Sequence, residues 1–165
     1  YADGRGVPKN DRLAVYWYQQ AADQGDANAQ AHLGLMYDEG RGVSRDDSMA
    51  MLWYGKAADQ GNSYAQYRLG KKYAKGEGVP KDEQTAYFWW LLSSARGEEE
   101  AGRNRDIVEM RLTPQQRSAA QAAARAWKPM SVAPQGPSEA SGDGPMAIRD
   151  ATLTGTAFRV SRDRM

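Results

Sequence analysis

Three glycine-rich segments are the first candidates for chemistry in this chain: Gly4-x-Gly6-Val7, Gly40-x-Gly42-Val43 and Gly76-x-Gly78-Val79. Backbone N–H groups exposed by glycine can cradle a phosphate. The dinucleotide form of such a cradle needs a third glycine, a strand before it and a helix N-terminus after it. Each segment here lacks the third glycine and follows a helical pattern, so a structural turn is expected. His32 is the only histidine and would have to serve any Ser-His-Asp arrangement, yet it stands inside a helical pattern with no strand-to-helix nucleophile turn to work with. With no cysteine, thiolate chemistry and disulfides are excluded, and a zinc site would need carboxylates. The carboxylates Asp38-Glu39, Asp46-Asp47 and Glu98-Glu99-Glu100 do not have calcium-loop spacing. The second and third groups open helices, where negative charge satisfies free N–H groups. The expectation is a chain that is not an enzyme and holds no metal and no cofactor.

The bulk numbers point the same way. The chain has 165 residues, 41% hydrophobic and 26% charged, with a formal net charge of +1. That is the balance of a globular domain. Acidic and basic residues interleave, and the strongly basic footprint of a nucleic-acid binder is absent. No run approaches the roughly 18 apolar residues that cross a bilayer. The sequence opens Tyr-Ala-Asp-Gly without an initiator Met and shows no signal peptide, so it is expected to begin inside a larger parent. Absence of cysteine fits cytosol and periplasm alike.

The elements that position these residues are visible in a repeat of 36 residues. Tyr1, Tyr37 and Tyr73 coincide, as do the three glycine segments, then Ala14, Ala50 and Ala86, then Trp17, Trp53 and Trp89. Ala21-Ala22 matches Ala57-Ala58, with Ser93-Ser94 as the third copy, and Gly25, Gly61 and Gly97 close the unit. Ala29, Leu33 and Gly34 match Ala65, Leu69 and Gly70 at the three- and four-residue spacing of one helix face. Each copy reads as two helices, placed at 11–24, 27–39, 47–60, 63–75 and 83–96. Trp17, Trp53, Trp89, Leu33, Leu69, Tyr37 and Tyr73 are expected in the core. Gly34 and Gly70 each cost about 1 kcal/mol of helix propensity, which a close helix crossing would offset. The aromatic stripe repeats too regularly to be a ligand cage and is expected to pack. One helix pair cannot cover its own apolar face, so the stacked array is the folding unit.

These residues resemble the Sel-1-like repeat, a relative of the tetratricopeptide repeat. The family pattern Ala-x-x-x-Leu-Gly-x-x-Tyr, Gly-x-Gly-Val, Ala-x-x-Trp-x-x-x-Ala-Ala-x-x-Gly is met by Ala29, Leu33, Gly34, Tyr37, Gly40, Gly42, Val43, Ala50, Trp53, Ala57, Ala58 and Gly61. A further copy meets it with Ala65, Leu69, Gly70, Tyr73, Gly76, Gly78, Val79, Ala86 and Trp89, departing at Ser93 and Ser94. The resemblance implies an all-α fold, a right-handed α/α superhelix, acting as a scaffold or adaptor that binds a protein or peptide. By the same resemblance Asn28, Ala31 and Leu35 with Tyr64, Tyr67 and Lys71 line the concave face and are the expected partner-binding residues. The uncovered N-terminal end is expected to self-associate.

Residues 1–97 hold the three copies, the first truncated. A helix to about Arg111 and another after Thr113-Pro114-Gln115-Gln116, a capping-box start, form a degenerate terminal pair over 98–127 that caps the array. Residues 128–150, rich in Pro, Gly, Ser and Ala, read as a flexible linker. Residues 151–165 carry one strand pattern, Ala151 to Ser161, similar to the opening strand of trypsin-like serine proteases. The alternative function is therefore a regulatory or targeting arm of a larger enzyme of that kind. That would favour a periplasmic or secreted setting.

Overall fold

The structure is a computed structural model that describes residues 10–131. The strand pattern and protease-like motif near residue 151, and the linker from residue 132 on, lie outside the described residues. Among the described residues seven helices follow one another: α1 Asp11–Asp23, α2 Ala27–Glu39, α3 Asp47–Asp59, α4 Ser63–Lys75, α5 Glu83–Ala95, α6 Glu99–Glu109 and α7 Pro114–Ala126. The described residues are all-α. The five expected repeat helices stand where the 36-residue register puts them, three of them ending one residue early.

Side-chain caps set these boundaries. Asn10, Asp26, Asp46, Asn62 and Asp82 each accept a hydrogen bond from the backbone N–H three residues on, at 2.8–3.0 Å. Each occupies one of the orphan donors at a helix start. Thr113 and Gln116 form the reciprocal capping box expected of them. Glu98 departs from this pattern: it occupies the cap of α6 without a side-chain hydrogen bond. The glycine loops are turns. Gly40 and Gly76 end α2 and α4 in the left-handed conformation. Gly42 and Gly78 also have positive φ and lie on the backbone of Asp11 and Asp47 at the starts of α1 and α3, where a Cβ would collide at the first and be tightly crowded at the second.

The tight pairs are α2 with α3 and α4 with α5; α1 on α2, α3 on α4 and α5 on α6 join one pair to the next. Gly34 and Gly70 make the tight pairs possible. A Cβ on Gly34 would stand 2.7 Å from the Tyr54 ring, and one on Gly70 would fall inside the Trp90 indole. Trp90 Nε1 in turn donates to Tyr67 O at 3.1 Å. Leu33, Leu69, Trp53 and Trp89 are fully buried, and Tyr37 and Tyr73 pack against the core from its edge. Trp53 sits among Ala22, Ala29 and Leu33 of the helices before it. The serines that replace alanines in the third copy are accommodated by hydrogen bonds: Ser93 Oγ donates to Ser63 O at 2.7 Å, and Ser94 Oγ to Leu91 O at 3.3 Å.

Trp17 corrects the expected core. It is 53% exposed, against 1% for Trp53 and Trp89. The Trp53 indole is covered by Ala22 of α1 with Ala29 and Leu33 of α2, and among the described residues no helix precedes α1 to cover Trp17. Tyr16, equally exposed, meets Trp17 edge to face with ring centroids 5.1 Å apart. This is the face expected above to self-associate.

The last two helices break the pairing rule. α7 lies against α5 and is not paired with α6 as α5 is with α4. The register explains it. Arg105 and Asp106 stand in α6 where Leu69 and Gly70 stand in α4, so α6 offers neither the apolar knob nor the bare backbone for a close crossing. Met110, one turn further, is consequently 85% exposed, whereas its equivalents Asp38 and Ala74 are partly buried. After α7 the chain turns back: Trp127 receives the Arg96 guanidinium over its ring at 5.3 Å, and Met130 N donates to Asp59 O at 2.7 Å. Residues 128–131, expected as the start of a linker, include this anchored contact.

Two comparisons test the packing. Trp53→Ala should destabilise the chain by roughly 3–5 kcal/mol, whereas Trp17→Ala at the same repeat position should stay within about 0.5 kcal/mol, both read from urea unfolding followed by circular dichroism. Gly70→Ala should destabilise despite the roughly 1 kcal/mol of helix propensity it gains. Gly102→Ala, whose Cβ would meet only Ser94 Cβ at an ordinary 3.8 Å, should stabilise.

Candidate interaction surface

The first helices of successive pairs, α2, α4 and α6, lie side by side. Their solvent side is a set of rows spaced by the repeat: Asn28, Tyr64 and Glu100; His32, Arg68 and Asn104; Leu35, Lys71 and Ile107; Glu39, Lys75 and Arg111. All of these are exposed or half-exposed. Four of the six expected contact residues, Asn28, Leu35, Tyr64 and Lys71, stand in these rows.

Ala31 and Tyr67 do not. They are 3% and 8% exposed and share the main core cluster. The physical reason is lateral packing between like helices, which adds a second buried edge to each. Tyr67 faces the next repeat, and its hydroxyl donates to Glu100 on α6 at 2.6 Å. Burial, then the Glu100 hydrogen bond, push its pKa up to about 12. The open stripe runs one residue further on, through His32 and Arg68. His32 stacks on Tyr18 with centroids 4.9 Å apart, and its Nδ1 lies 2.8 Å from Asn28 O. Tyr64 takes a hydrogen bond from Arg68 Nη1 at 3.3 Å and stands 6.4 Å from the Tyr67 ring.

Beneath the stripe lies a charge network. Asp38 on α2 is ion-paired to both Arg68 and Lys72 on α4 and accepts a hydrogen bond from Tyr54 Oη on α3 at 3.2 Å. Lys72 also reaches Asp47 at 2.9 Å and Glu77 at 3.3 Å. The Lys72 side chain is 3% exposed and that of Asp38 7%. Burial pushes the Asp38 carboxyl up, but hydrogen bonds from Lys72 and Arg68 outweigh it and hold the group below its ordinary value. Lys72 likewise titrates above its ordinary value, because its three carboxylates overcome burial. The network ties α2, α3 and α4 together at their crossing. A signal for it was present: Lys72 occupies the register of buried Met36, and Asp38 that of Ala74, so opposite charges replace apolar residues at two covered positions.

Among the described residues no group of His, Asp or Glu has the arrangement to hold a metal ion. No helix there is long and apolar enough to cross a membrane. Paired helices stacked in register, with one face open along the first helix of each pair, define an α/α solenoid. Its repeats match the Sel1 repeat profile over residues 1–26, 27–62 and 63–98, and the chain belongs to the Sel1 repeat family. Such repeats generally serve as protein-interaction scaffolds. Among solved structures, c5321, a protective antigen present in uropathogenic Escherichia coli strains that displays an SLR fold, is similar with a TM-score of 0.66. It is 31% identical over 78% of this chain, which spans 32% of that protein. A Sel1 repeat protein from Oxalobacter formigenes is 42% identical with a TM-score of 0.59, over 65% of this chain and 80% of its own. No curated protein sequence matches the chain.

The network yields a test with a definite sign. Asp38→Ala leaves buried Lys72 with Asp47 and Glu77 only and takes the carboxylate from Arg68, and should cost about 1–3 kcal/mol. Asp38→Ala combined with Lys72→Met gives the two positions the residue types of Ala74 and Met36 and should cost less than the single change. The depressed Asp38 and Asp47 groups contribute stability in full above the unfolded carboxylate pKa of about 3.9, and it is lost as pH falls through their lower folded values. Urea unfolding as a function of pH should therefore show a shallower acid loss for the double variant than for the parent.

Proposed function

We propose that this chain is a non-enzymatic interaction module that holds a protein or peptide against the face formed by α2, α4 and α6. One observation carries the reading. Between the copies at 27–62 and 63–98 the packing positions keep their residue types, Ala29 and Ala65, Leu33 and Leu69, Gly34 and Gly70, Tyr37 and Tyr73, while the open rows change: Asn28 to Tyr64, His32 to Arg68 and Leu35 to Lys71. A rigid lattice of small-residue crossings thus carries a row of side chains that the fold does not need. Those side chains mix aromatic, apolar and charged groups, the composition that contact surfaces favour. The backbone beneath them is fixed by the Asp38 network and by the glycine crossings, so little ordering entropy opposes binding.

A photo-crosslinking amino acid placed at Leu35, Lys71 or Ile107 in the native cells should give a discrete protein adduct. The same group at Ala119 or Ala122, exposed on α7, should not. Equal adducts from both sets of sites, or adducts from α7 alone, would move the contact elsewhere and defeat the proposal.

A further inference from the structure

The open face is uneven in charge. Arg68 and Lys72 are neutralised by Asp38, with Asp47 and Glu77 assisting. Lys71 and Lys75, on the same helix, have no carboxylate within ion-pair distance among the described residues. Lys71 lies with Nζ 5.5 Å from the centroid of the Tyr67 ring. That ring is itself fixed by Glu100, so the lysine stem is held against a rigid surface and little rotamer freedom is left to lose on binding. Partial burial lowers the Lys71 pKa, and the cations Arg68 and Lys75 lower it further against the opposite pull of Glu100 and Asp38. On either side of Lys71, at the same level of the neighbouring helices, stand Leu35 on α2 and Ile107 on α6, the latter 55% exposed.

Spacing then specifies the shape of what would lie across them. Packed helices stand about 8–10 Å apart. A chain in the polyproline-II conformation rises about 3.1 Å per residue with three residues per turn, so every third side chain points the same way at intervals of roughly 9 Å. A β-strand puts residues three apart on opposite sides and does not fit the same three positions.

We infer that the band Leu35–Lys71–Ile107, extended by Lys75, docks an extended acidic segment of a partner protein, with an Asp or Glu on Lys71 and Lys75 and an apolar side chain three residues before and three after it. The carboxylate supplies the charge this stretch of α4 lacks. The two apolar residues cover Leu35 and Ile107. Binding weakens with salt, because the cations are at the surface.

The inference rests on the interaction-face reading above, and the test separates the two. Panning a random-peptide phage library against the purified full chain should enrich peptides with Asp or Glu at the centre and Leu, Ile, Val or Phe at the third positions on either side. Their affinity should fall by about tenfold or more in Lys71→Glu/Lys75→Glu, and partial loss should follow Lys71→Gln/Lys75→Gln, with helical circular dichroism unchanged in both. A synthetic version with Lys in place of the central acid should regain binding to the charge-reversed variant. Enriched peptides without that acid, yet displaced by Leu35→Asp or Ile107→Asp, would overturn the inference and leave the face reading standing. Peptides indifferent to every substitution on the face, or no enrichment at all, would overturn both.

Discussion

The close crossing of paired helices governs this structure. Where the first helix of a pair presents a bare glycine backbone, at Gly34 and Gly70, the second helix lays an aromatic ring directly on it. The ring buries a large area at no cost in voids, which a dense core requires. Where the glycine is missing the pair does not form. α6 carries Asp106 at that register, and α7 settles on α5 instead. The array therefore ends by a change of packing partner rather than by a change of secondary structure. α7 remains a well-capped helix of 13 residues, with its capping box intact. Local helix signals and the pairing signal are thus independent, and only the second determines where the repeat stops.

That independence explains what was legible in the sequence. Helix ends were readable because each cap is a local event: Asp46 and Asp82 signal the same start that their hydrogen bonds make. The core positions were readable because an indole, a leucine and a glycine recur in one register. Trp17 was misplaced for a non-local reason, since the position is buried only by what stacks in front of it. Ala31 and Tyr67 were misplaced because the periodicity of a single helix has one apolar stripe, whereas a helix in a solenoid has two buried edges, one toward its partner and one toward its counterpart in the next repeat. Tyr67 belongs to the second edge, held there by Glu100 from a helix 33 residues away in sequence.

The Asp38 network shows a different limit. Charge runs on a helix are ordinarily solvated, and nothing about Lys71-Lys72 taken alone separates the two lysines. The repeat separates them. Lys72 stands where Met36 is buried, and Lys71 where Leu35 is half-open. One lysine is consequently drawn under the surface into a set of three carboxylates, and its neighbour is left above on a tyrosine ring, with no carboxylate within ion-pair distance among the described residues. Comparison of copies within one chain supplies information about burial that residue type cannot.

This division also gives the face its properties. A buried ion pair is weak evidence for stability, since two apolar residues of similar volume often do as well; one repeat later the same two registers hold Ala74 and Val108. What Asp38 adds over Ala74 is orientation, because it fixes Arg68 and Lys72 by directed bonds and joins three helices at one crossing. With those two cations committed below, Lys71 and Lys75 remain the cations of α4 outside any ion pair among the described residues, beside the Glu100 carboxylate of α6. A substitution that freed Arg68 from Asp38 would therefore alter the surface as well as the core. Fold and recognition are coupled at this one point, whereas the glycine crossings elsewhere keep them apart.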